Sequence, residues 1–574
     1  MDYMEKYKQW INDEYFDEAT RTELKNIENN DNEIKERFFK DLEFGTGGLR
    51  GILGAGTNRM NLYTVRKATQ GLANYILKQG GADKGVAIAY DSRRMSPEFA
   101  DEAALCLNAS GIKAYVFESL RPTPELSFTV RELGCIAGIV ITASHNPAEY
   151  NGYKVYWEDG AQVTSPKDVE IIAEVNAITD YSVVKTMDKS EAIGKGLYQV
   201  IGSEIDDKYM AQLRKLVLNP VAKECKDMKI VYTPLNGTGN LPVRRILKEL
   251  GFENVYVVPE QEMPDSNFTT VGYPNPEDPK VFTLSKKLAE EVGADLILAT
   301  DPDADRLGVQ VRDDKGEFQL FTGNMSGALI AEYVFSQRAA HGTLPKNAAL
   351  VKTIVTGGLA DKIAEHYGAT LIEVLTGFKY IGEQIKLFEQ TGSKEFVFGF
   401  EESYGCLVGT HSRDKDAVVA VMMLCEAAAY YKQQGITLYE QMQRVFEKYG
   451  YYKEDLVSVT LKGIEGMEKI KEIMGSYRTN PPKKAGDYTV LKVRDYLADT
   501  ITDTATGAVV PTGLPKSDVI YLEFNDDAWC AIRPSGTEPK IKFYFGVKGN
   551  SLEDAQARLH KLVNDPVFKV QETK

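Results

Sequence analysis

The sequence has little of what would place a chain outside a reducing, aqueous compartment. Its 574 residues include six cysteines (Cys106, Cys135, Cys225, Cys406, Cys425, Cys530), far apart and without a C-x-x-C pair. That spacing excludes a disulfide framework and a thiolate zinc cluster as organising devices. The longest apolar run, Ala417 to Cys425, is too short to cross a bilayer and reads as a buried helix. Met1 to Trp10 alternates charged and aromatic residues and has no apolar signal-peptide core. A cytoplasmic protein without a membrane partner is expected. Nucleotide signatures are missing too: there is no G-x-x-x-x-G-K-[ST] and no G-x-G-x-x-G. In the closest stretch, Gly45 to Arg50, the arginine stands where the last glycine belongs. The five histidines form no H-E-x-x-H pair, and no G-x-S-x-G elbow is present. Acidic residues outnumber basic ones by 83 to 68, so nucleic acid is not an expected partner, and an anionic substrate needs locally focused cations.

What is present is a recurrent alternation. Short β-branched runs, at 85–90, 135–142, 228–233, 295–300, 349–353 and 395–400, each lead into a polar or glycine-rich turn and then a helical pattern. This predicts α/β layers with largely buried strands. Helices over 241–250 and 358–367 are predicted to stop at Gly251 and Gly368. From about Gly450 the alternation is less regular and a polar, turn-rich stretch runs from Thr500 to Lys516, so a separate α+β domain is expected there.

Four loops at predicted strand ends hold residue types that carry chemistry. In open α/β sheets, ligands collect beyond such ends. Thr142-Ala143-Ser144-His145-Asn146-Pro147 puts a serine directly after an apolar run, with Asn-Pro forcing a turn. By itself this reads first as a plain β-turn whose serine and asparagine satisfy backbone groups, and only context can overturn that. Asp301-Pro302-Asp303-Ala304-Asp305-Arg306 offers three carboxylates at alternate positions, suited to one hard cation. An EF-hand is excluded because Arg306 and Arg312 occupy its glycine and glutamate positions; a solvated acidic turn is the other reading. Arg306 beside the carboxylates could meet a phosphoryl group. Arg533-Pro534-Ser535-Gly536-Thr537-Glu538-Pro539 combines hydroxyls, a glycine and a guanidinium, as a phosphate cradle needs, or is a surface turn. Glu401-Glu402-Ser403-Tyr404-Gly405 could bind sugar hydroxyls or open a helix with acidic capping.

In this order the four loops resemble the α-D-phosphohexomutase superfamily, the phosphoglucomutases and phosphomannomutases, over nearly the whole chain. Gly45 to Gly51, Asn151-Gly152-Tyr153-Lys154 and Thr376-Gly377-Phe378-Lys379 add to the likeness, the last looking like a sugar-specificity loop. The resemblance implies a four-domain fold, three similar α/β domains and a smaller C-terminal α+β domain around a central cleft, here divided as 1–205, 206–323, 324–450 and 451–574. It implies that Ser144 is a phosphoserine nucleophile whose phosphate completes a Mg²⁺ site made by Asp301, Asp303 and Asp305, with Lys154 and Arg50 also catalytic. Arg533, Ser535, Gly536 and Thr537 would hold the substrate's non-reacting phosphate. His145, Arg306, Thr376, Gly377, Lys379, Glu401, Ser403 and Lys415 would complete the substrate site. The implied reaction interconverts glucose 1-phosphate and glucose 6-phosphate through glucose 1,6-bisphosphate, which serves as activator and intermediate, so no external phosphoryl donor is needed. Glu-Glu-Ser leans toward glucose; mannose or pentose phosphate by the same mechanism is the nearest alternative, followed by a sugar-bisphosphate synthase, a phosphatase and a silent phosphosugar binder. Some phosphomannomutases read Glu-x-Ser-Gly-His where this chain has Tyr404-Gly405, so their histidine is missing. A lysine acting as base instead would need a lowered pKa. The sequence is silent on oligomeric state.

Overall fold

The computed structural model describes residues 2–44, 48–461, 463–535 and 540–570. The chain forms two compact units: Met1–Gly323 with Ile381–Ser393 and Ser403–Thr437, and Asn324–Tyr380 with Lys394–Glu402 and Leu438–Lys574.

In the first unit, β1 (Gly48–Ile52), β2 (Val86–Tyr90), β3 (Ala114–Phe117), β4 (Ala137–Ile141), β5 (Tyr150–Trp157) and β6 (Tyr198–Ile201) form one sheet in the order β1-β5-β4-β2-β3-β6. β2 is parallel to β3 and β4, whereas β5 runs antiparallel to both β4 and β1. All five residues of β4 are buried, which is why its sequence is a continuous apolar run instead of an alternating one. Helices Ser96–Ala109 and Thr123–Glu132 pack against these strands. Helix Leu62–Lys78 starts where Asn61 and Thr64 exchange side-chain and backbone hydrogen bonds, satisfying donors that the first turn leaves open. Gly152 lets β5 pass close to its neighbours: a Cβ there would lie 2.4 Å from the Thr142 carbonyl oxygen and 2.8 Å from that of Leu49.

The second sheet repeats the device. β7 (Lys229–Thr233), β8 (Asn254–Val257), β9 (Leu296–Thr300), β10 (Leu307–Arg312) and β11 (Phe318–Phe321) run in the order β11-β10-β9-β7-β8. β7 is parallel to β8 and β9, and β10 returns antiparallel beside β9. The serine loop and the aspartate loop therefore hold the same position, between a buried parallel strand and its antiparallel return. Helix Asn240–Leu250 stops at Gly251, whose φ of +105° is the left-handed cap the sequence predicts. The apolar run from Ala417 opens helix Ala417–Lys432, buried along nearly its whole length. No helix of the described residues is long and apolar enough to cross a membrane.

In the second unit, β12 (Ala348–Thr353), β13 (Thr370–Val374) and β14 (Glu395–Glu401) are parallel in the order β13-β12-β14. β15 (Gly405–Val408) follows in sequence and belongs to the first unit. The Glu401–Gly405 segment thus joins two strands, and its reading as a helix N-terminus is excluded. The last sheet contains β16 (Tyr451–Thr460), β17 (Lys484–Ala485), β18 (Tyr488–Asp495), β19 (Thr500–Asp503), β20 (Val509–Val510), β21 (Ile520–Phe524), β22 (Trp529–Pro534) and β23 (Lys540–Gly549). Its order is β16-β23-β22-β21-β18-β19-β20, with β17 beside β18. Leu522, Cys530, Ile532, Phe543 and Phe545 fill its core. The polar stretch from Thr500 holds two strands after all. Because Val509 and Val510 are exposed, β20 gains backbone pairing without a buried face and leaves no alternating pattern in the sequence.

Candidate active site

Ser144 sits at the carboxyl end of β4 with φ +52°, a left-handed backbone that costs a non-glycine residue about 1 kcal/mol. Its neighbours hold it there. The Ser144 N–H donates to Thr142 Oγ1 (2.8 Å), and the Thr142 hydroxyl donates to the buried Asp91 (2.7 Å). Arg93, 1% exposed, threads its guanidinium under the loop and donates to the carbonyl oxygens of Ser144 (2.6 Å), Asn146 (2.5 Å), Pro147 (2.8 Å) and Tyr150 (3.1 Å). Its far side packs on the Phe268 ring, 5.0 Å from the centroid. Asp91 and Arg93 are not among the candidate residues read from the sequence, although Asp91 follows directly on the apolar run at 85–90 and Arg93 two positions later, the signal that marked the serine and aspartate loops.

The Ser144 hydroxyl donates to Asp301 Oδ2 at 2.9 Å, so the serine and aspartate loops meet within the first unit. Asp301, Asp303 and Asp305 are buried, and each offers a carboxylate oxygen within 4.8 Å of the others. Ala304, with φ +50°, turns the loop so that alternate side chains converge. The Asp305 and Arg306 N–H groups both donate to Asp301 Oδ1 (3.1 and 3.0 Å). Thr123 fixes Asp303 from outside: its hydroxyl donates to Oδ2 (2.9 Å) and its N–H to the Asp303 carbonyl (3.0 Å). Asp303 Oδ1 and Asp305 Oδ1 are buried and accept no hydrogen bond from any described residue. An unmet buried carboxylate oxygen is costly, and a hard cation with oxygen ligands is what this donor set fits.

Charge is balanced unevenly around the three carboxylates. Burial and the Asp303 and Asp305 charges push Asp301 well above the ordinary carboxylate range. Asp303 goes the other way: burial works to raise it, but Lys154 Nζ, 2.8 Å from its Oδ2, together with hydrogen bonds from Asp301 and Thr123, lowers it below the ordinary range. Burial also opposes the charge on Lys154, but Asp303 and Asp305 (3.6 Å) outweigh it and raise the lysine above its usual value. The lowered pKa that a lysine base requires is therefore not met in this arrangement. Lys415 Nζ lies 3.1 Å from Asp305 Oδ2 and 3.1 Å from Asp414 Oδ1, and Tyr156 donates to Asp414 Oδ2 (2.6 Å). Arg306 reaches Glu277 (2.7 Å), and Arg50 donates to Asn146 Oδ1 (3.1 Å). His145 Nδ1 is 3.1 Å from Ser144 Oγ; burial, then Arg306 and Arg50, hold the ring well below its ordinary pKa and thus neutral.

In the second unit, Gly377, at φ +122°, turns its N–H to Glu401 Oε1 (2.9 Å), while Thr376 Oγ1 is buried and has no hydrogen-bond partner among the described residues. Lys379 Nζ lies over the Tyr380 ring, 5.1 Å from its centroid. Arg533 stands on β22 opposite Lys542, and the Ser535 N–H donates to the Lys540 carbonyl (2.7 Å). Ser403 belongs to the first unit, whereas Glu401 belongs to the second. Gly536 and Thr537 lie outside the described residues, as do Gly45 to Gly47.

Sequence models of the phosphoglucomutase/phosphomannomutase α/β/α domains I, II and III match residues 41–182, 207–316 and 322–449. The chain belongs to the phosphoglucomutase/phosphomannomutase family. A phosphoglucomutase of Staphylococcus epidermidis is 37% identical over 536 residues, 93% of this chain and 95% of its own. One of Staphylococcus aureus is 36% identical over 533 residues, 93% and 94% of the two chains. The fold also matches parafusin (phosphoglucomutase) from Paramecium in its open form, at TM-score 0.66 and 19% identity over 92% of this chain and 93% of that one. A phosphoglucomutase/phosphomannomutase family protein of Burkholderia thailandensis matches at TM-score 0.64 and 19% identity, over 91% and 96%. Three family α/β domains are thus followed by a C-terminal β-rich domain. Within this phosphohexomutase fold the serine and aspartate loops meet in one unit, and Asp91, Arg93, Thr123 and Asp414 are the supporting residues that reading the sequence missed.

Proposed function

We propose that this chain is a phosphoglucomutase that interconverts glucose 1-phosphate and glucose 6-phosphate through phosphoserine at Ser144 and a glucose 1,6-bisphosphate intermediate. The observation that carries the proposal is the Ser144 hydroxyl, held in a strained turn 2.9 Å from Asp301 within a three-carboxylate cluster that has buried, unmet oxygens. Asp301, Asp303, Asp305 and a phosphate oxygen on Ser144 would hold Mg²⁺, which when bound supplies charge neutralisation for the transferring group.

The residues then divide the work. In the forward step a substrate hydroxyl oxygen bonds to phosphorus as the bond to Ser144 Oγ breaks, the hydroxyl's proton ends on Ser144 Oγ, and a sugar bisphosphate results. In the return step Ser144 Oγ attacks the other phosphoryl group, the bond from that phosphorus to the sugar oxygen breaks, and the sugar oxygen leaves as a hydroxyl with the proton that Ser144 gives up. Two acceptors for its proton are in reach: Asp301 Oδ2 at 2.9 Å and the neutral His145 Nδ1 at 3.1 Å. Lys154 stays charged beside Asp303, so its role is to hold the carboxylate cluster and offset phosphoryl charge, not to remove protons. Arg50 and Arg306 would neutralise the transferring group, and Lys415 would orient the sugar phosphate. Glu401, Ser403, Thr376, Gly377 and Lys379 would bind sugar hydroxyls, and Arg533, Ser535, Gly536 and Thr537 the second phosphate. The cytoplasm is the compartment that fits.

The test is a magnesium-dependent coupled assay of glucose 1-phosphate isomerisation, with and without glucose 1,6-bisphosphate, run beside mannose and ribose phosphates. Preferred turnover of the glucose phosphate, stimulated by the bisphosphate, is expected. Preference for mannose or ribose phosphate would keep the phosphoserine cycle and refute the glucose assignment. Phosphate release without isomerisation of any sugar would refute the mutase.

A further inference from the structure

The first unit contains a second cavity, of about 280 Å³, between the start of helix Thr123–Glu132 and the start of helix Asn240–Leu250. Its lining is mainly apolar, and Leu241 and Met263 on its rim are 68% and 67% exposed, among the most exposed large apolar side chains of the chain. Two polar atoms on its lining residues, Glu125 Oε1 and Thr238 Oγ1, have no hydrogen-bond partner among the described residues, and the residues are 1% and 3% exposed. Apolar walls with a few convergent polar groups are the makeup of a small-molecule site, and neither group takes part in the chemistry at Ser144.

The charges select the ligand. Asp206 is met by Arg121, which reaches both its oxygens (2.8 and 3.0 Å), and Arg245 at the edge is paired with Asp207 and Glu249. Glu125 forms no ion pair with a described residue, although Arg121 stands near enough to act on its charge. Burial first, then a hydrogen bond with Asp206 and that residue's charge, push its carboxyl well above the ordinary range. A purely apolar occupant would leave two buried polar atoms unmet, which is costly. An anion would face Asp206 and Glu125.

We propose that this cavity is a ligand site for a small organic cation, an ammonium group on a compact apolar body, with the ammonium on Glu125 and Thr238 and the body between Met210, Leu241 and Met263. Its wall is bonded directly to the aspartate loop. Thr123 holds Asp303, and the Thr238 N–H donates to the Pro302 carbonyl (2.8 Å).

Met210 and Met263 provide native reporters. Protein labelled with ¹³C in its methionine methyl groups is titrated with cyclohexylammonium, cyclohexanol and cyclohexanecarboxylate, the two resonances being assigned by single Met→Leu substitutions. Saturable shifts of Met210 and Met263 with cyclohexylammonium are expected, at least about tenfold weaker with the alcohol and the carboxylate, as loss of a charge-assisted hydrogen bond requires. Glu125→Gln, which keeps shape and removes the charge, should weaken cyclohexylammonium by about the same factor. No saturable shift in the parent protein, or equal affinity for the carboxylate, would overturn the proposal; neither outcome depends on the folding of a variant or on the reaction proposed for Ser144.

Discussion

Arg93→Lys is the substitution that best separates the positioning of Ser144 from its chemistry. Arg93 meets four carbonyl oxygens from two nitrogens of one rigid fork: Nη1 serves Pro147 and Tyr150, Nη2 serves Ser144 and Asn146. Lysine keeps the charge beside Asp91, which lies 3.3 Å from Arg93 Nε, but concentrates its donors at one point and can serve one pair of carbonyls. Two charge-assisted hydrogen bonds are worth about 3–6 kcal/mol, and water entering the gap recovers part, leaving a local loss of about 2–4 kcal/mol. Ser144, already held at φ +52°, then relaxes toward an ordinary backbone and its hydroxyl leaves Asp301 for part of the time. If about 2 kcal/mol of that loss appears in the transition state, kcat falls roughly 30-fold, while KM changes little because Arg93 is buried under the loop. The assay is bisphosphate-stimulated turnover, with hydrogen exchange of the 142–151 segment as the structural readout. A kcat within about twofold of the parent and unchanged exchange would refute the reasoning.

Ser144→Ala should abolish phosphoenzyme formation and turnover with little change in thermal stability, because it removes a single hydroxyl from a loop at a strand end; phosphoprotein mass spectrometry after incubation with glucose 1,6-bisphosphate checks it. Asp303→Asn removes one ligand charge and leaves Lys154 with less compensation, so the melting-temperature rise that Mg²⁺ gives the parent should be lost, and an undiminished rise would take Asp303 out of the metal role. Gly152→Ala should cost several kcal/mol, since its Cβ would overlap the Thr142 and Leu49 carbonyls at 2.4 and 2.8 Å; soluble expression with a parent-like melting point would refute the close approach. Burial raises Glu454 from 4.5 to about 7. Its cost to stability is absent below the unfolded value and grows as pH rises to the folded one, to about 1–2 kcal/mol after allowance for its partial exposure. Glu454→Gln should therefore gain stability over the parent at about pH 8 and not at about pH 5, read from urea midpoints.

The parts that were legible in the sequence share one physical cause. β4 and β9 are buried on both faces, so their residues must be apolar throughout, and a polar residue directly after such a run marks a strand end with chemistry attached. That rule found Ser144 and Asp301. It could not find their pairing, because the hydrogen bond between them joins residues 157 positions apart and depends on how two sheets pack. Thr123, which anchors Asp303 from a third element, left no trace for the same reason: a threonine at the first turn of a helix looks like ordinary capping. β19 and β20 lie in the stretch that reads as polar and turn-rich, because an edge pair with no buried face imposes no period on its side chains.

The backbone conformations tie the two loops to one logic. Ser144 and Ala304 both adopt left-handed φ values at the end of a buried strand, one in each sheet of the first unit. An apolar strand cannot itself present a nucleophile or a carboxylate cluster, since its side chains point into the two faces of the sheet. A single left-handed residue redirects the chain off the strand end, so that the next polar groups project along the strand axis. The strain must be met by interactions that do not depend on substrate, or the loop would be ordered only in the complex. Asp91, Thr142 and Arg93 supply them for Ser144, and Thr123 with the Asp305 and Arg306 N–H groups supplies them for the aspartates. The groups that the proposed phosphoryl transfer would use, the Ser144 hydroxyl beside Asp301 and the unmet oxygens of Asp303 and Asp305, are then held in place before any substrate arrives, the preorganisation that such a reaction rewards.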